Sequence, residues 1–462
     1  MSLAGSSRPR WLLAAGLALS LAGCSGSAPP SGPATAPVAH VEPADEAVEG
    51  EEPIPQRGAQ EGAEEPLDTV DAAVEPEPPF EDPWLRDLLA SRPQRFGALL
   101  EDPARYRLQI LVTVIQPGAD GPTVVEHPYR VDAEYVYPAS AIKTFAAVGA
   151  LRVLNDLRGQ GHRVGLDTPM AFCEGAKGPC DIETDESNLR GGTITVGHEI
   201  RKMQLVSNNV SFNRLYELVG HRELNEMMWA MGFSTLRVQH RMYGVKDPAL
   251  QRITPRIELR PKRGKKVLVP RRVSELEMPP NGYDELELGI AYIDDALGER
   301  VDEPLDFSTK NYVSIRDLHA LALAIARPDL PGVPDLGLTS KHRAHLIAAM
   351  ADNPAESENP VYPDMRNGLR YKTMIGGMSK VVPLERLRYV GKAGRAYGFH
   401  LDNAYVEDLQ TKRAMGITVV IYANENQVLN DNVYEYDGVT RPFLRALGRT
   451  LAQAVFVDGS GV

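Results

Sequence analysis

The chain has 462 residues, with 62 acidic and 50 basic side chains and a net charge of −12. From Glu42 to Asp82 there are 15 acids against one base, Arg57, a local charge of −14, so the rest of the chain sums to about +2. The acidity thus belongs to one stretch and carries no information about what the remainder binds; no nucleic-acid partner is expected, and no internal repeat, phosphate-binding glycine loop, Gly-x-Ser-x-Gly or His-Glu-x-x-His is present.

Residues 1–24 read as an export signal. Arg8 and Arg10 precede the apolar run Trp11–Leu21, which is too short to span a bilayer comfortably. Leu21-Ala22-Gly23-Cys24 resembles a bacterial lipobox, which implies lipidation of Cys24, and Ser25 favours the outer membrane, with the protein facing the periplasm. Residues 25–82, rich in Pro, Ala, Gly and Glu and almost free of aromatics, have the composition of a disordered tether. Extended, it would reach about 180 Å, and as a coil about 40 Å.

The domain expected over 83–462 opens with a helix across Pro83–Leu100. Arg107–Gln116 and Thr123–Val131 read as two strands around the turn Gly118–Gly121. They lead to Tyr137-Pro138-Ala139-Ser140-Ala141-Ile142-Lys143-Thr144, where a strand runs into an apolar helix. Helical patterns dominate from there to Met231. Cys173 and Cys180 flank a Gly/Pro-containing loop; in an exported chain they are expected to form a disulfide bracing one wall of a cleft, because a metal pair lacks further ligands nearby. Residues 240–310 read as an insertion, with a basic hairpin around Lys262–Lys266. His342 and His345 lie one helical turn apart without a third ligand and are expected at the surface. Leu387–Val390 reads as a strand leading to Lys392-Ala393-Gly394. Gly398–Val406 and Met415–Tyr422 read as strands, and Phe443–Val455 as a closing helix. Sheet at both ends and helices between them make an α+β layout.

Three short motifs carry chemistry. A serine hydroxyl is a poor nucleophile until a base removes its proton. Lys143 follows Ser140 by one helical turn, and a desolvated lysine has a lowered pKa and can be that base. Ser207-Asn208-Asn209 sits on an interhelical turn, able to point Ser207 and Asn209 into a cleft. Lys392 offers a positive charge, and Gly394 allows close approach to the strand.

In this order the motifs resemble those of the penicillin-recognising serine hydrolases, the serine β-lactamases and the D,D-peptidases. Thr193–Val196 through Asn213–Leu215, and His221–Phe233 after it, look like the helices around the Ser-Asp-Asn motif of class A β-lactamases. The resemblance implies an antiparallel sheet flanked by helices, an all-α lobe, and an active site between them. It makes Ser140 the acylated nucleophile, Lys143 its base and Ser207 the proton relay. Asn209, Lys392, Ala393, Gly394 and Arg395 would bind substrate, and Asn213 would brace the turn. A β-lactam or peptidoglycan-stem-like substrate, no cofactor, no metal and a monomer are expected.

Three positions depart from the family pattern. Class A enzymes carry a deacylating glutamate on a loop whose counterpart here, Arg237–Tyr243, has no carboxylate; Glu275, Glu277, Glu303 or Asp306 are the substitutes within reach in sequence. Ala393 replaces a hydroxyl residue, and Asn208 replaces an aspartate. The expected activity is class A-like β-lactam hydrolysis. A D,D-peptidase or a penicillin-binding lipoprotein that traps the acyl group is the alternative.

Overall fold

Pro93 divides the opening helix. Inside a helix its ring lacks an N–H and clashes with the preceding turn. In the computed structural model, which describes residues 78–462 except 176, 363, 364 and 366–371, α1 (Pro83–Ala90) ends before Ser91, and α2 (Pro93–Leu100) restarts with the proline at its first position. This corrects the single helix expected from periodicity. The apolar stripe itself persists, with Leu85, Leu89, Phe96 and Leu99 all buried. The export signal, Cys24 and the tether before residue 78 lie outside the described residues.

Five strands form one antiparallel sheet: β1 (Gln109–Gln116), β2 (Thr123–Tyr129), β3 (Leu387–Ala396), β4 (Phe399–Asp408) and β5 (Ala414–Tyr422), in the order β3-β4-β5-β1-β2. Strand β1 is buried at every residue but Gln116, because both of its faces are covered. It pairs with β5 from Gln109 opposite Val420 to Ile115 opposite Ala414. Strand β2 is the edge, and there Pro128 costs no inner ladder bond.

The segment between β2 and β3 is mainly helical: α3 (Lys143–Gly159), α4 (Val196–Val206), α5 (Asn209–Val219), α6 (His221–Ala230), α7 (Ile315–Ala326) and α8 (Ser340–Ala351). One sheet face packs on this lobe through Leu111, Val390, Leu401 and Val420. The other, through Ile110, Val112, Val114 and Ile417, packs on α1, α2 and the closing helix α9 (Arg441–Ala452). The chain therefore has the α+β architecture of β-lactamases and transpeptidases, an antiparallel sheet flanked by helices beside an α lobe.

Short strands dominate the insertion. Ile257–Leu259 and Val267–Val269 form the basic hairpin, with Lys262, Arg263, Lys265 and Lys266 exposed at its tip. Ile257–Leu259 also pairs with Met170–Cys173, so the disulfide-closed hairpin and the insertion share a four-stranded sheet. The Cys173–Cys180 disulfide is formed. It braces this small sheet rather than a wall of the cleft, its surroundings being Arg256 and Arg260. Replacing both cysteines by serine is expected to lower unfolding free energy by about 2 kcal/mol, the chain-entropy value for so short a loop, read by chemical denaturation. Farther on, Ala291–Ile293 pairs in parallel with residues 428–429, just after β5. The histidines of α8 are not surface residues. His342 is buried, and His345 Nε2 donates to Gly197 O at 2.9 Å, tying α8 to α4.

Candidate active site

Ser140 lies on a tight turn. Ala139 holds a left-handed backbone (φ 47°), a conformation costing a residue with a Cβ roughly 1–2 kcal/mol. Residues 139–142 form one 3₁₀ turn, and α3 begins at Lys143. Ser140 is half-buried, and its hydroxyl makes no hydrogen bond among the described residues.

Lys143 is fully buried. Its Nζ donates to Asn209 Oδ1 at 2.5 Å, to Ser207 O at 2.6 Å and to Ser207 Oγ at 3.2 Å. Burial, and then the charge of Lys392, push its pKa down to about 6. A substantial share of the amine is therefore unprotonated at neutral pH.

Helices α4 and α5 meet at Ser207-Asn208. Ser207 ends α4 with φ 60°, a left-handed position usually held by glycine. Asn208 caps α5 by accepting from Ser211 N at 2.8 Å, which explains why an amide serves there as well as an aspartate. The strained serine is thereby aimed between two lysines. Lys392 Nζ donates to Ser207 Oγ at 3.0 Å and to Ala393 O at 2.8 Å.

The Lys392-Ala393-Gly394 motif lies inside β3, not beyond the end of a strand, with Asn403, Asp402 and Leu401 of β4 opposite. Burial lowers Lys392 to about 7, against the opposing pull of Asp402. A Cβ at Gly394 would lie 2.3 Å from Pro138 O, 2.9 Å from Ala141 N and 3.0 Å from Ser140 N. The missing side chain is what lets β3 reach the serine turn. Gly394→Ala is expected to destabilise the fold by about 1–3 kcal/mol and to abolish any reaction at Ser140, read by thermal unfolding and by mass spectrometry. Ala393 is half-buried, and exposed Arg395 stacks on Tyr436 at 4.9 Å.

The structure therefore brings Lys143, Ser207, Asn209 and Lys392 into one hydrogen-bonded cluster, with the backbone of Ser140 and Gly394 in contact beside it. Asn213 does not brace the Ser207 turn. It accepts from Met242 N at 2.9 Å and donates to Tyr243 O at 2.8 Å, fixing the loop that lacks a carboxylate. Arg241 of that loop pairs with Glu217 at 2.7 Å. Glu275, Glu277, Glu303 and Asp306 are all exposed. None of them influences Lys143; among the described residues its one charged neighbour of consequence is Lys392.

Sequence reading missed Asp402. It is wholly buried, accepts from Tyr389 Oη at 2.7 Å and Met374 N at 3.1 Å, and burial raises its pKa to about 6. An acid between Leu401 and Ala404, inside the run Gly398–Val406 that reads as a strand, was the available signal. Asp185, His198 and Glu199 could offer metal ligands, but Lys202 and Arg214 already supply positive charge to these carboxylates.

Residues 126–276 match the model of a β-lactamase enzyme family. Among solved structures the chain is similar to a class A β-lactamase from Mycobacterium abscessus (14% identity, covering 80% of this chain and 99% of that one, TM-score 0.41). It is likewise similar to a β-lactamase from Desulfarculus baarsii (14%, 79% and 97%, 0.42) and to PBP-A (16%, 83% and 98%, 0.42). No curated protein matches the chain.

Proposed function

We propose, from the match of residues 126–276 to the model of a β-lactamase enzyme family and from the geometry around Ser140, that the chain is a penicillin-recognising serine hydrolase, acylated on Ser140 by β-lactams and related amides and releasing the acyl group slowly. One observation carries this reading. Lys143, Ser207 and Lys392 converge, while no carboxylate among the described residues acts on Lys143.

Ser140 Oγ attacks the amide carbonyl as unprotonated Lys143 takes its proton. The oxyanion is received by the Ser140 backbone N–H and a donor from β3 beyond Lys392. The C–N bond then breaks, and the proton passes from Lys143 through Ser207 to the leaving nitrogen. Ser207 suits this relay. Its oxygen accepts from both lysines, at 3.2 Å and 3.0 Å, which leaves its own hydrogen free for the nitrogen. Asn209, accepting from Lys143 through Oδ1, keeps its N–H donors for the substrate's side-chain amide. Lys392 and Arg395 serve the substrate carboxylate. Since no carboxylate among the described residues acts on Lys143, water attack on the ester goes unassisted in this reading and the adduct persists.

Rapid class A-like hydrolysis of β-lactams is the second reading, favoured by the description of the matching family. The export signal and Cys24 add the proposal that the enzyme works from a lipid anchor, facing the periplasm.

A chromogenic cephalosporin separates these readings. One equivalent released in a burst, followed by a stable adduct on Ser140, is expected. Sustained turnover at many equivalents per second would replace slow release by hydrolysis, and absence of both burst and adduct would remove acyl chemistry altogether.

A further inference from the structure

Three aromatic rings meet edge to face beside Ser140. Tyr137 precedes the serine by three residues, Tyr397 follows Gly394 by three, and Phe307 comes from the insertion. Ring centroids are 5.4 Å apart for Tyr137–Tyr397, 5.5 Å for Phe307–Tyr397 and 5.6 Å for Tyr137–Phe307, with interplanar angles of 67°, 86° and 66°. These are the separations at which edge-to-face pairs are most favourable, so each side of the triangle resists both opening and compression. Phe307 is 0% exposed and also meets Tyr135 at 5.7 Å and Phe399 at 6.3 Å. Lys310, on the same stretch of the insertion, covers Tyr397 at 5.7 Å.

The two segments joined by this triangle are those that must cooperate in acyl transfer. Contact at Gly394 sets how closely β3 and the serine turn can approach. Nothing in that contact stops them separating; the rings do.

We propose that Phe307 is a positioning residue, the ring through which the insertion fixes the spacing between the Ser140 backbone N–H and the donor from β3, so that both reach one oxyanion. The insertion is then part of the acylation apparatus although it supplies no group to it. The proposal rests on the acyl reading above.

The test measures acylation of the full chain by a fluorescent penicillin, together with the ester carbonyl band of the acyl-enzyme in difference infrared spectra. Phe307→Leu keeps an apolar side chain but removes the ring. Tyr397→Leu removes the partner ring from the β3 side at a half-buried position, and so decides the matter should Phe307→Leu fail to fold. Each is expected to slow acylation roughly 10- to 100-fold, the effect of a misplacement of about 1 Å. Each should also move the carbonyl band to higher frequency, because hydrogen bonds to its oxygen lengthen. The double variant should be no slower than the worse single. Phe96→Leu, which removes a ring packed on Phe443 at 5.8 Å on the other sheet face, should leave rate and band unchanged. Wild-type rate and band in a folded Phe307→Leu or in Tyr397→Leu overturn the proposal, as does equal slowing by Phe96→Leu. A wild-type chain that forms no adduct overturns instead the acyl reading beneath it.

Discussion

Lys143→Ala is expected to slow acylation by about three to four orders of magnitude, the upper range for loss of a general base. In the proposed mechanism the unprotonated amine of Lys143 is the group that takes the Ser140 proton. Charge-neutral packing cannot substitute, because the amine also orders Ser207 and Asn209. The pH profile gives a second signature. Burial holds Lys143 at about 6, and the amine is a base only without its proton. The acylation rate should therefore fall as pH drops through about 6. Lys392, held at about 7, loses the charge that polarises Ser207 as pH rises further, so the profile should turn down again above about 7. Since both ammonium groups share Ser207 Oγ, the two limbs belong to the pair rather than to either lysine. Second-order adduct formation from pH 5 to 9 checks this, and Lys143→Ala should lose the acid limb. A variant acylating at the normal rate would take the lysine out of the mechanism.

Ser140→Ala is expected to leave no adduct at any time or β-lactam concentration, and no turnover above the solution rate. Stability should stay within about 0.5 kcal/mol of wild type, since the hydroxyl has no hydrogen-bond partner among the described residues to lose. Intact-mass spectrometry with a denaturation midpoint reads both. An adduct that persists in Ser140→Ala, for instance on Ser207, would reassign the nucleophile.

What could be read from sequence was whatever depends on near neighbours. Ser140 and Lys143 are one turn apart, Ser207 and Asn209 share one junction, and Lys392 and Gly394 share one strand. The type of the main helices and sheet strands followed from local periodicity as well, although no strand runs into Ser140, which residues 131–138 reach as turn and irregular chain. Asn208 shows how a departure from a family pattern can be harmless: its cap needs only an acceptor oxygen. The errors came from weighing one signal over another. The apolar stripe over Pro83–Leu100 outweighed Pro93, which is legible and decisive. His342 and His345 sit on a helix with little amphipathic contrast, so nothing nearby marks the buried side. Asn213 reaches forward to Met242 and Tyr243, a contact set by the course of a loop. The ring triangle draws on positions 137, 307 and 397, and no pattern along the chain relates residues so far apart.

The parallel ladder between Ala291–Ile293 and residues 428–429 has a practical corollary for engineering. Asn430 adds to that junction by donating to Ile293 O at 2.8 Å and to Asp295 Oδ1 at 2.6 Å. Residues 240–310 thus cannot be treated as a removable cassette. A chimera that swaps or deletes them would strip a strand from the segment leading into the C-terminal helix and unsettle both ends of the domain at once. Shortening this protein to a minimal scaffold must begin elsewhere, at the exposed tip of the basic hairpin.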